Sequence, residues 1–119
     1  MEKAAVARAV LVVDGGGCLA AAAALMADRR VGDLVHPSQA WRLPVGLALG
    51  ATSTILLGSA ARQSPTQSAM RCAALVNAGW VAACVAALSR PLPTSGRVLV
   101  GTTFALDAAV GTAQWALSR

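Results

Sequence analysis

Long apolar stretches alternate with short polar ones along this chain. Four stretches contain no Lys or Arg: Ala9 to Ala27, Leu43 to Ala61, Cys72 to Ser89 and Val98 to Leu117, each 18–20 residues long. A hydrocarbon core of ~30 Å takes about 20 helical residues to cross. Backbone in lipid must satisfy its own hydrogen bonds, which selects helices for such stretches. The pattern predicts an all-α, four-transmembrane-helix up-and-down bundle, with spans at about 9–27, 43–61, 72–89 and 98–117 in a single integral membrane domain over residues 1–119. The three connections are short and polar or proline-bearing (Asp28 to Pro37, Arg62 to Ser68, Arg90 to Arg97), as antiparallel neighbours require. Trp41 and Trp115 fall at span ends, where an aromatic belt places them.

Composition strengthens the membrane reading. Hydrophobic residues make up 56% of the chain and charged residues 13%, against about a quarter charged in a soluble domain. A soluble chain this short exposes much of its surface and needs charge to cover it. The net charge is +5, but the basic residues are scattered and not interleaved with aromatics, so they suit lipid headgroups and not nucleic acid. Lys3, Arg8, Arg62, Arg71 and Arg119 fall on one side, and Arg29, Arg30, Arg42, Arg90 and Arg97 on the other. That even split gives no positive-inside bias: either the span ends lie elsewhere or insertion is only weakly directed, with insertion in both orientations as one outcome. A cleaved signal peptide is the weaker reading of the N-terminus, because Asp14 and the Gly15-Gly16-Gly17 run interrupt its apolar region. Cys18, Cys72 and Cys84 lack metal-ligand spacing and read as small apolar side chains, so no metal and no cofactor is expected.

Small residues mark where helices approach. Gly46, Gly50, Thr54 and Gly58 form a stripe at i+4 steps on the second span, and Ala74, Ala78, Ala82 and Ala86 form another on the third. Such stripes let membrane helices pack closely. The Gly46 stripe is the more specific and is expected to pack within the bundle or to form a homo-oligomer face.

The polar residues inside the spans carry the candidate chemistry. Asp14 and Asp107 are two of five acidic residues, yet both lie in apolar runs, as do Asn77 and Gln114. A carboxylate at the centre of a membrane helix costs roughly 2.5–3.5 kcal/mol on insertion scales. At ~1.5 Å per residue, Asp14 and Asn77 both lie about 7.5 Å inside the apolar zone, Gln114 about 4.5 Å and Asp107 about 15 Å, near the midplane. Up-and-down topology puts Asp14, Asn77 and Gln114 on the same side. Thr103, Asp107, Gly111 and Gln114 share one face of the fourth span, and Asn77, Trp80, Val81 and Cys84 one face of the third. These faces predict a half-pocket ending at Asp107, with Thr52 and Thr54 near the midplane adding hydroxyls. Arg8 is near enough in sequence to snorkel toward Asp14.

Two uses of these groups stand side by side. Carboxyls buried without a cation favour the neutral form. A neutral Asp107 acting as general acid and Asp14 as base would make the catalytic pair of an acid–base isomerase, cyclase or epoxide-opening enzyme. Asn77, Trp80, Thr103 and Gln114 would then bind a lipophilic substrate. The same polar groups can instead bind helices together, at about 0.6–2 kcal/mol per hydrogen bond. That would leave a structural or accessory subunit without chemistry. A small proton-linked transporter is a third expectation. Loop His36 and Ser38, Ser59 and Ser89 lack the context of a base or nucleophile.

In length and layout, with four spans over the whole chain and a small-residue second helix, the sequence resembles the small four-helix bacterial membrane proteins grouped as DoxX-like. That resemblance implies a multi-pass protein of a bacterial cell membrane and assigns no residue roles. It is similar more loosely to compact membrane cyclases and isomerases that protonate an epoxide or olefin from a buried acid, for which Asp14 and Asp107 are the matching chemical types. Val12-Val13-Asp14-Gly15-Gly16-Gly17 resembles the phosphate loop of actin-like kinases, but Cys18 stands where a hydroxyl would help bind phosphate.

Overall fold

The computed structural model describes residues 2–35, 40–62 and 66–119, and these are helical apart from short connections. In chain order the helices are α1 (Glu2–Ala27), α2 (Arg29–Asp33), α3 (Arg42–Ala60), α4 (Gln67–Leu88) and α5 (Thr94–Leu117). His36, Ser38 and the centre of the second connection (residues 63–65) lie outside the described residues.

The four apolar runs each lie in one long helix, but the helices begin before them. α1 starts seven residues ahead of Ala9, and α4 and α5 take in Arg71 and Arg97. Backbone hydrogen bonding continues past the apolar zone, so charge marks the edge of the lipid and not the end of the helix. Capping sets the starts: Asp28 accepts from the Arg30 amide at 2.9 Å and Thr66 from the Ala69 amide at 3.1 Å.

Three helices, α1, α3 and α4, are long and apolar enough to cross a membrane. α5, the expected fourth span, is not among them: its Asp107, Gln114 and four threonines dilute the apolar run. The exposed faces of all four long helices are nonetheless apolar. Val13 on α1 is 67% exposed, Leu47 on α3 64%, Leu75 on α4 65% and Leu106 on α5 60%, while Asp14, Asn77 and Gln114 are buried. Apolar outside and polar inside is the arrangement that lipid favours and water does not. This is a membrane protein by the length, composition and exposed faces of its helices.

α1 packs antiparallel on α3, and α4 on α5; α1 with α5 and α3 with α4 join these two hairpins. The α1–α3 contact is close because Gly15 faces Leu56 and Leu57, and Gly46 faces Met26. A methyl group on Gly15 would come within 2.8 Å of Leu57 Cγ, and one on Gly46 within 2.5 Å of Met26 Sδ. The rest of the predicted stripe separates from Gly46: Gly50 and Gly58 meet nothing within 4 Å, and Thr54 is exposed. On α4, Ala74 is buried and Ala78, Ala82 and Ala86 are exposed. Gly15, Gly16 and Gly17 lie inside continuous helix, so no phosphate loop forms.

Basic residues fasten the ends. Arg42 Nη2 donates to the Leu25 carbonyl at 2.6 Å, tying the start of α3 to the last turn of α1. At the opposite end Arg8 Nε donates to the Ala60 carbonyl at 3.2 Å, and Lys3 Nζ to the Arg119 carbonyl at 2.7 Å. Both arginines satisfy carbonyls that a helix C-terminus leaves without partners. Arg8 thus turns to the end of α3, where the sequence reading directed it at Asp14.

Candidate functional site

Three of the singled-out polar residues meet in one cluster. Asp14 comes from the middle of α1, Asn77 from α4 and Gln114 from the last turns of α5. Asn77 Nδ2 donates to Asp14 Oδ2 at 2.7 Å and to Gln114 Oε1 at 2.7 Å. Gln114 Nε2 donates to the same Asp14 oxygen at 2.6 Å. Each pair in the triangle is bonded. Asn77 also reaches the Ala73 carbonyl of its own helix at 3.3 Å, and Cys18 Sγ lies 4.0 Å from Asp14 Oδ1.

The helices can bring these side chains together because small residues flank them. Gly111, one turn before Gln114, lies against Asn77, where an added methyl would stand 3.0 Å from Asn77 Cβ. Gly15 lets α3 close over α1 beside Asp14. The result is a sealed cluster: Asp14 is 7% exposed, Asn77 3% and Gln114 0%. Its hydrogen bonds are short and mutual, which leaves little room for a substrate.

Asp107 stands apart from it. It is half-buried, makes no side-chain hydrogen bond among the described residues, and lines a groove of about 430 Å³ between α4 and α5. Ala74, Ala78, Val81, Gly111, Thr112 and Trp115 also line it. The expected catalytic pair is therefore split into one sealed and one accessible carboxyl.

Trp80 and Thr103 go elsewhere. Both line a different, apolar groove of about 340 Å³ at the end where α1 and α4 finish. Thr103 Oγ1 donates to the Leu99 carbonyl of its own helix at 2.9 Å. Of the residues assigned to one half-pocket, Val81, Asp107 and Gly111 line the groove between α4 and α5, Asn77 and Gln114 join Asp14, and Trp80, Cys84 and Thr103 line the apolar groove; Thr103 is eleven residues, or about 16 Å, from Gln114. Thr54 is likewise bonded within its own helix, to the Gly50 carbonyl at 2.9 Å, and Thr52 is half-buried. Of the cysteines, Cys84 is buried, Cys18 partly so and Cys72 exposed on the apolar exterior.

One group has a feature that sequence reasoning missed. Trp41, assigned to an aromatic belt, has its indole Nε1 buried with no hydrogen-bond partner among the described residues. Only the folded arrangement reveals this, since a tryptophan at a span end ordinarily keeps its N–H in the wet interface.

No protein-family model matches the chain, and neither a curated protein nor a solved structure matches it.

Proposed function

We propose that this chain is a multi-pass membrane protein in which α1, α3, α4 and α5 cross the bilayer as an up-and-down bundle, and that it serves as a structural or accessory subunit. One observation carries the reading: Asp14, Asn77 and Gln114 bond to each other in a closed triangle spanning three helices. A catalytic carboxyl needs access to its substrate, whereas a helix fastener needs mutual saturation and burial. α5 fits as the fourth span because it supplies Gln114 to the triangle and exposes Val98 and Leu106 outward. The outward face at Gly50, Thr54 and Gly58 is the surface this reading offers to a second copy or a larger partner.

The deciding experiment measures detergent-solubilised Asp14→Asn and Asp14→Leu for stability and for binding of a panel of lipophilic ligands. A graded loss of stability with no ligand-specific change supports the fastener. Retained stability with loss of a ligand that wild type binds sinks it.

The intramembrane acid–base enzyme remains as a second reading, supported by the placement of Asp107 in a largely apolar groove with no side-chain hydrogen bond among the described residues. In that version Asp107 alone delivers the proton to a lipophilic substrate.

A further inference from the structure

The end of the bundle where α1 and α4 finish carries a built groove that the fastener does not use. Its deeper part, about 340 Å³, is lined almost entirely by apolar side chains, among them Leu25, Val45, Trp80 and Val100. A second compartment of about 390 Å³ adjoins the first, with Val35, Trp41, Ala83 and Ala87 lining both. Arg90 lines this outer compartment, and its guanidinium makes no hydrogen bond among the described residues.

Hydrocarbon and a cation thus follow one another along the groove. From Trp80 to Leu88, the last residue of α4, is eight residues of helix, about 12 Å, and Arg90 lies two residues further on. That is close to the depth of one leaflet, half of a ~30 Å hydrocarbon core. The surrounding end also carries Arg29, Arg30, Arg42 and Arg97, which raises the local positive potential.

We infer that this groove binds one anionic phospholipid, its acyl chain against Trp80 and its phosphate on Arg90. The inference rests on membrane insertion of the bundle and not on whether the Asp14 cluster is a fastener.

Tryptophan quenching tests it. The full-length chain carrying Trp115→Phe, so that only Trp41 and Trp80 emit, is placed in phosphatidylcholine vesicles containing a minority of phosphatidylglycerol. Two preparations have the same composition, with brominated acyl chains on phosphatidylglycerol in one and on an equal amount of phosphatidylcholine in the other. Stronger quenching by the brominated anionic lipid is expected, and Arg90→Gln should weaken that preference about fivefold, the effect of one basic residue near the surface. The double variant Arg29→Gln/Arg30→Gln should keep it. Equal quenching by both labelled lipids in wild type, which needs no variant to fold, overturns the site while leaving the membrane bundle intact. Equal loss in Arg90→Gln and the Arg29/Arg30 control also overturns it, as unspecific attraction. Absence of quenching by either lipid overturns site and membrane insertion together.

Discussion

Gln114 donates to Asp14 at 2.6 Å across a sequence separation of 100 residues, joining the last helix to the first. Asp14 accepts with one oxygen from both Gln114 and Asn77. Asp14→Leu would remove that acceptor and leave two buried amides short of a partner, at a cost of about 1–3 kcal/mol. Asp14→Asn keeps an oxygen in the same place and should cost less than half as much. Unfolding followed by loss of helical signal in mixed micelles of increasing denaturing detergent gives both numbers. Equal stabilities for Leu and Asn would mean that the triangle contributes nothing.

Because every pair in the triangle is bonded, its members should not act independently. Asn77→Ala and Gln114→Ala are expected to be non-additive, with a coupling of about 0.5–3 kcal/mol. A double-mutant cycle on the same detergent unfolding measures it. Additivity within error would show that Asn77 and Gln114 each make their contacts separately.

Glycine positions divide into those a methyl group would crowd and those it would not. Gly111→Ala brings a Cβ to 3.0 Å from Asn77 Cβ, tighter than normal packing tolerates, so α5 should move away from α4 and loosen the triangle. Gly50→Ala meets nothing and should stabilise the isolated protein by about 0.5–1 kcal/mol through helix propensity. Thermal melts of the two variants should shift in opposite directions. A destabilised Gly50→Ala would instead reveal a contact at that face, as a self-associating partner would provide.

Much of this arrangement was legible in the sequence, and the limits have physical causes. Lys and Arg do not lie in lipid, so their absence located the four long helices; it could not locate their ends, since α1 and α4 continue as helix through Arg8 and Arg71. Rise per residue put Asp14, Asn77 and Gln114 at neighbouring depths, and they do meet. Facing alone did not say which groove Trp80 and Thr103 line: residues that share a helix face are still separated along the axis, and these two line the apolar groove and not the one at Asp107. The split between Asp14 and Asp107 was not legible. It depends on how α4 and α5 are rotated, which Gly111 against Asn77 decides.

Two close contacts at glycines border α2. A Cβ on Gly96 would run into the Leu34 carbonyl, and one on Gly32 would stand 2.7 Å from Arg42 Cδ. The obstacle at Gly96 is backbone and cannot swing aside, whereas Arg42 is a flexible side chain. Gly96→Ala should therefore displace α2 from α5, raising amide exchange over Arg29–Asp33, while Gly32→Ala should have a smaller effect. Hydrogen exchange read by mass spectrometry in detergent separates the two. If both variants protect α2 as wild type does, the close approach of Leu34 to Gly96 is not what holds that helix.

Asp107 provides the sharpest division between the two functional readings. It takes no part in the triangle, so Asp107→Asn, nearly the same in shape, should leave detergent stability within about 0.5 kcal/mol of wild type. If the groove beside Asp107 and Trp115 is only a gap between helices that lipid fills, the variant should bind the lipophilic panel as wild type does. If Asp107 is a general acid, Asn cannot deliver a proton. Turnover of an epoxide or olefin substrate should then vanish while binding survives. Binding and turnover measured side by side on this one variant therefore discriminate between an accessory bundle and an enzyme.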